Sequence, residues 1–361
     1  IKIFTRGGRD ATEAITDSLE AALKEIGPEN VRAIPFQKGI EDGIIERINP
    51  FNAYIDTILS MIDVESIKKK NLKVLLDPMF GVSKTCIQTI LVTARCELEI
   101  INDRHDALFG GRLPSPNNLT LARLRHLVVE KGFDIGIGTD GDADRLGIID
   151  EKGDFIHPND ILALLYYYLL KHKGWKGGVV RNLATTHLLD RIAEGFGERC
   201  YEVPVGFKHI SSKMEETKAL IGGESSGGLT IRGHIPGKDG VFAASLLIEL
   251  LCVTGQNLSG LLEEIHQRFG DFHTAEWDYH FDPELKPQLL RKIRPGCDLP
   301  EFLQKIVSTS HMDGMKMVFD NGGWALIRFS GTEPLLRVVA EMPSRDEAHA
   351  VVANIKRHLG A

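Results

Sequence analysis

Three carboxylates alternate over five residues at Asp140, Asp142 and Asp144, and Arg145 follows directly. Anions this close repel unless a cation gathers them, and a hard divalent ion such as Mg²⁺ takes carboxylate oxygens together with phosphate oxygens. The flanks, Phe133 to Gly138 and Leu146 to Asp150, are short apolar runs with Ile and Gly, which places the acids on a tight loop at a strand end. A calcium loop would use the same spacing, with Glu151 at its twelfth position. Its sixth position needs Gly, however, and Arg145 stands there. Gly136, Gly138 and Gly141 also satisfy a dinucleotide fingerprint, but acidic, strand-like residues follow where a pyrophosphate needs a helix N-terminus. The bland reading is a solvated acidic turn.

A second constellation comprises Arg328, Ser330, Gly331, Thr332 and Arg337 in the run IRFSGTEPLLRV. Small polar residues after a strand offer backbone amides and hydroxyls to a phosphate, and the two flanking arginines offer planar forks. A hairpin turn with an incidental SGT is the alternative. Between the two constellations lies GGESSGG, Gly222 to Gly228, where Glu224, Ser225 and Ser226 suit sugar hydroxyls. Gly-Ser runs are usually plain loops, so this signal is weak alone. Lys208 and His209 upstream, and His234, Lys238 and Asp239 downstream, add polar groups at further turns.

These residues need elements to carry them, and the periodicity supplies a series of α/β units. Residues 1–40 read as a strand, a helix from Asp10 to Ile26 and a strand at Val31 to Pro35, the remnant of a first domain. Residues 41–156 form a second domain with the acidic loop, opened by a helix over 41–62. Residues 157–269 repeat its rhythm around the Gly-Ser loop and end on two amphipathic helices, Gly240 to Thr254 and Leu258 to Phe269. Residues 270–361 read as an α+β domain, with helices near Pro283 and Glu301.

Composition agrees with a cytoplasmic multidomain enzyme. The 361 residues allow two or three domains, and a net charge of −7 argues against a nucleic-acid partner. Five cysteines without paired spacing indicate neither a disulfide framework nor a zinc site. No apolar run reaches membrane-spanning length.

TDGDADR, GFKHI, GGESSGG with its later KDG, and RFSGTEPLLR occur in the order and spacing of the motifs of the α-D-phosphohexomutases, which this chain resembles over its whole length. VLLDPMFG and FGGRLPSP are similar to that family's second domain. The resemblance implies consecutive mixed α/β three-layer domains followed by a C-terminal α+β domain. It also implies an enzyme that interconverts hexose 1-phosphate and 6-phosphate through a phosphoserine and a hexose 1,6-bisphosphate. Asp140, Asp142 and Asp144 would hold Mg²⁺, and Arg145 would orient the transferring group. Glu224 and Ser226 would bind sugar hydroxyls, with Lys208 and His234 as further substrate contacts. Arg328, Ser330, Gly331, Thr332 and Arg337 would grip the idle phosphate. The family's T-A-S-H-N-P serine segment is not among these residues, so the chain is expected to be N-terminally truncated. Lys2, which resembles the family's general acid/base, would follow that segment. Gly228 and the GFK segment lean toward glucose, with mannose and glucosamine phosphates as rivals. A sugar-phosphate-binding protein without catalysis is the alternative of another class.

Overall fold

The computed structural model describes residues 2–331 and 333–360. At its start β1 (Phe4–Thr5) and β2 (Arg9–Asp10) form a small hairpin, followed by α1 (Glu13–Ile26). Val31 to Pro35 forms no strand, and α2 (Phe36–Glu41) begins instead after Pro35. The helix expected over 41–62 is broken at 42–50 and resumes as α3 (Phe51–Met61). Gly43 at φ 71° leaves helical geometry there, and Pro50 disfavours a helical residue before it.

After α4 (Val64–Lys68), the second unit runs β3 (Lys73–Asp77), α5 (Ser83–Thr93), β4 (Glu97–Ile100), α6 (Ala122–Lys131), β5 (Ile135–Thr139), β6 (Leu146–Ile149) and β7 (Phe155–Ile156). Its sheet has the order β4-β3-β5-β6-β7; β3 is parallel to β4 and β5, and β6 is antiparallel to β5. The third unit runs α7 (Pro158–Lys171), β8 (Val179–Asn182), α8 (Leu188–Gly195), β9 (Cys200–Val203), α9 (Phe207–Thr217), β10 (Ile221–Gly223) and β11 (Leu229–Ile231). Its order is β9-β8-β10-β11, again with the last strand antiparallel. The two units are therefore copies of one topology. The acidic loop joins β5 to β6, and the Gly-Ser loop joins β10 to β11 at the equivalent place.

Helix α10 (Gly240–Thr254) is not amphipathic: every residue from Gly240 to Cys252 is buried. It packs on α4 and α5 of the second unit and α7 of the third, so apolar surface is needed all round. Asp239 caps it by accepting the Phe242 N–H at 2.9 Å, and Gly255 ends it in the left-handed conformation. α11 (Leu258–Phe269) is amphipathic, burying Leu258, Leu261, Leu262, Ile265 and Phe269. No single helix among the described residues is long and apolar enough to cross a membrane.

The last unit contains β12 (His273–His280), α12 (Lys286–Ile293), β13 (Ile306–Ser310), β14 (Met315–Phe319), β15 (Trp324–Phe329), β16 (Leu335–Met342) and α13 (Arg345–Leu359). Its antiparallel sheet has the order β12-β16-β15-β14-β13 and packs beneath α13. Glu301 lies in irregular chain rather than a helix, and the β-branched run after it forms the edge strand β13. An ionic cluster around the buried Arg181 and Lys316 fixes this sheet to the third unit. Arg181 binds Asp190 at 2.7 Å and also Glu202, which receives Lys316 from β14. Burial opposes charge on Glu202, but the hydrogen bond with His187 and the charges of Arg181 and Lys316 outweigh it and hold the carboxyl well below its usual range. Glu341 accepts from the His187 backbone and the Trp324 indole, each at 2.9 Å.

Candidate active site

The acidic loop is held by backbone before any cation is considered. Asp140, 8% exposed, accepts the N–H groups of Asp144 at 2.9 Å and Arg145 at 3.0 Å through one carboxylate oxygen. Ala143 takes the left-handed conformation at φ 62°, which turns the chain back within four residues. Gly81 packs against the loop so closely that a Cβ there would lie 2.6 Å from the Gly141 carbonyl oxygen. Carboxylate oxygens of Asp140, Asp142 and Asp144 come within 4.8 Å of one another. Burial, reinforced by the charges of Asp144 and Asp142, pushes the Asp140 carboxyl up to about 6.

Among the described residues, three cations answer these carboxylates. Lys2 Nζ lies 2.9 Å from Asp142 and 3.6 Å from Asp144, and its hydrogen bond to Asp142 raises its own pKa while lowering that of the acid. Lys238 Nζ lies 2.8 Å from Asp144. Arg145 Nε sits 3.8 Å from Asp140 and 3.7 Å from Asp144, buried and without a hydrogen-bond partner. Clustered hard oxygens that draw three cationic groups fit a divalent ion such as Mg²⁺.

The Gly-Ser loop is a tight turn in which Glu224 N–H donates to Gly228 O at 3.0 Å and Gly227 N–H to Glu224 O at 3.1 Å. Asn182, at the end of β8, reaches one Glu224 oxygen at 3.4 Å, and the Ser226 hydroxyl donates to the other at 3.1 Å. This loop touches the strand that leaves the acidic loop: Leu146 N–H donates to Gly227 O at 3.3 Å. Lys238 passes beneath Gly228, where a Cβ would lie 2.2 Å from its Cδ, on its way to Asp144.

Glu224, Ser225 and Ser226 share one cleft of about 440 Å³ with Arg328 and Arg337 of the last sheet. The two arginines are directly opposite each other on β15 and β16, and Asp278 is opposite Arg337 on β12. Like charges facing across a ladder repel, and an anion bound between them would relieve this. Arg328 Nε binds Asp313 at 2.8 Å, and Arg337 Nε lies 3.6 Å from Asp278. Ser330 follows β15, its N–H donating to Leu335 O at 2.7 Å, and Gly331 is exposed beside it. Thr332 lies outside the described residues.

Two expected substrate contacts are placed elsewhere. The His234 side chain is buried, 2.7 Å from Asp239 and 4.4 Å from the Phe242 ring centroid, where it steadies the cap of α10 rather than lining the cleft. Lys208, on the first turn of α9, pairs with Glu13. Conversely, Ser115, Asn117, Asn182, Glu276 and Asp278 line the cleft, and sequence reading missed them. Asn182 carried one signal, its place at the carboxyl end of a parallel strand, where α/β sheets bind ligands.

Comparison with known proteins supplies the family. Residues 52–153 match the model of phosphoglucomutase/phosphomannomutase alpha/beta/alpha domain II, 157–269 that of domain III, and 300–358 that of the C-terminal domain. A probable phosphoglucosamine mutase of Methanosarcina barkeri is 30% identical over 94% of this chain and 72% of its own length. The chain belongs to the phosphoglucomutase/phosphomannomutase family. A phosphoglucomutase/phosphomannomutase of Thermococcus kodakarensis is 32% identical over 85% of the chain, which spans 65% of that relative's length. In fold, the chain is similar to a phosphoglucomutase/phosphomannomutase family protein of Burkholderia thailandensis (TM-score 0.74, 22% identity, 90% of this chain and 68% of that one). The mixed α/β units and C-terminal domain expected of the family are the ones observed.

Proposed function

We propose that these residues form the metal, sugar and phosphate sites of a phosphohexomutase. It would interconvert hexose 1-phosphate and hexose 6-phosphate, glucose foremost, through a phosphoserine supplied outside these residues and a hexose 1,6-bisphosphate. The supporting observation is that Glu224 and Ser226 share a cleft with Arg328 and Arg337, while the Glu224 loop contacts the strand leaving the aspartate loop. A phosphate at one end of a hexose and hydroxyls in its middle match that order of groups, and the other end then lies toward the aspartates.

Phosphoryl transfer depends on positioning and charge neutralisation. Bound Mg²⁺ at Asp140, Asp142 and Asp144 would neutralise charge on the transferring group. Arg145, its Nε facing the same carboxylates, is proposed to orient that group. The attacking sugar hydroxyl loses a proton as the new P–O bond forms, and the serine oxygen gains one as the old bond breaks. One group that gives and regains a proton therefore suffices, and Lys2, an ammonium held at Asp142, is proposed for it. Glu224 and Ser226 would hold the sugar hydroxyls in either orientation of the bisphosphate. Arg328 and Arg337, with Ser330 and Gly331 beside them, would hold whichever phosphate is not reacting.

Calorimetric titration of the 361-residue chain with glucose, mannose and glucosamine 6-phosphates tests the cleft. Binding of all three with glucose 6-phosphate tightest supports the proposal, and no binding of any sugar phosphate contradicts it. Turnover of glucose 1-phosphate by these 361 residues alone would contradict the external serine. A phosphoserine-bearing full-length protein that binds but does not turn over would favour a binding protein.

A further inference from the structure

A carboxylate outside the cleft lining holds two of the residues that line it. Asp313 lies in the turn between β13 and β14, and one of its oxygens accepts both Arg328 Nε at 2.8 Å and the backbone N–H of Val205 at 3.0 Å. Arg328 belongs to the last sheet, whereas Val205 belongs to the third unit, just before Gly206 at φ 128° and the start of α9. The turn is built to reach this place. Gly314, at φ 93°, lies flat on β15, and a Cβ there would be 2.3 Å from Ile327 O and 3.0 Å from Arg328 Cα. Both Val205 and Arg328 line the cleft.

We propose that Asp313 is a positioning residue, which aims Arg328 at the idle phosphate and clasps the last unit to the third across the cleft. The inference rests on reading that cleft as the sugar-phosphate site. A guanidinium held through Nε presents its Nη edge as a fork, the geometry that takes two oxygens of a phosphate. Without the carboxylate, Arg328 faces the like charge of Arg337 and its long side chain is free to turn away. The same loss frees the Val205 amide, so phosphate grip and cleft closure depend on one oxygen atom.

The test uses the 361-residue chain with Asp313→Ala, Asp313→Asn, Arg328→Ala and the Asp313→Ala/Arg328→Ala pair, titrated with glucose 6-phosphate and with inorganic phosphate. Asp313→Ala weakens both ligands at least about tenfold, the size expected for a lost hydrogen bond to a charged group. Asp313→Asn, which keeps an acceptor, loses less. In the double variant Asp313→Ala adds much less to Arg328→Ala than it costs alone, because the part acting through Arg328 is already gone and only the Val205 contact is left to lose. Equal affinity in Asp313→Ala and wild type, or independent multiplying losses, overturns the proposal. Hydrogen exchange at Val205 needs no ligand: it should quicken in Asp313→Ala, less in Asp313→Asn, and not in Arg337→Ala, and unchanged exchange in Asp313→Ala overturns the clasp. Failure of wild type to bind either phosphate would instead defeat the reading of the cleft, leaving the exchange result to judge Asp313 alone.

Discussion

The loops 140–145 and 224–228 occupy the same position in two copies of one topology and present different chemical groups. The first gathers three carboxylates and draws in Lys2, Lys238 and Arg145. The second presents one carboxylate oriented by neutral groups, Asn182 and Ser226, and none of the described cations pairs with Glu224. Topology sets where a loop stands, and a few side chains decide whether it is proposed to take a cation or hydroxyl groups. Lys238 spans the two, packed under Gly228 and bound to Asp144.

Removing charge from the first loop should separate the pair most sharply. Asp140→Asn keeps an acceptor for the Asp144 and Arg145 amides, so the turn persists, but Mg²⁺ affinity falls at least about 100-fold, since even outer-sphere partners of a metal site are worth 10–100-fold. Calorimetry with Mg²⁺ and the far-ultraviolet spectrum measure the two halves of that statement.

Glycines in the loops should differ in their tolerance of a methyl group. Gly227 has φ 95°, and a Cβ would stand 2.8 Å from the Leu146 carbonyl, a backbone atom that cannot move aside. Gly227→Ala should therefore cost about 1–3 kcal/mol in urea unfolding. Gly141→Ala meets only the edges of Pro114 and Phe109 at 3.1 and 3.3 Å, and should cost less than half as much. Equal costs would mean that the loops are not separately built.

Gly228→Ala should have the smallest effect. Its methyl displaces the flexible Lys238 side chain, removes a competing ammonium from Asp144 and raises Mg²⁺ affinity about 2–5-fold, with stability changed by under about 0.5 kcal/mol. Weaker Mg²⁺ binding in that variant would show that Lys238 supports the cation site.

Much of this was legible in the chain. Both loops stood out because glycines and acids interrupt apolar runs, and local patterning specifies such strand–loop–strand units. What escaped was set by distant packing. Helix α10 looked like one more surface helix until two units were seen to close on it. Val31 to Pro35 had strand-like residues but no partner strand among the described residues, and β13 was hidden because an edge strand needs only one neighbour. His234 has the residue type of a catalytic group, and only its burial against Phe242 and Asp239 shows its structural setting. Asp278 and Asp313 carry no local signal, since register and a turn bring them to their arginines.

The most direct test of the central claim crosses two variants with two ligands: Asp142→Asn and Glu224→Gln, each titrated with Mg²⁺ and with glucose 6-phosphate on the 361-residue chain. Asp142→Asn should lose Mg²⁺ and keep the sugar phosphate within about twofold, while Glu224→Gln keeps Mg²⁺ and loses about tenfold or more in sugar-phosphate affinity, the cost of a hydrogen bond to a charged group. Equal losses of both ligands in both variants would contradict the division of labour between the loops, and with it the proposed mutase site.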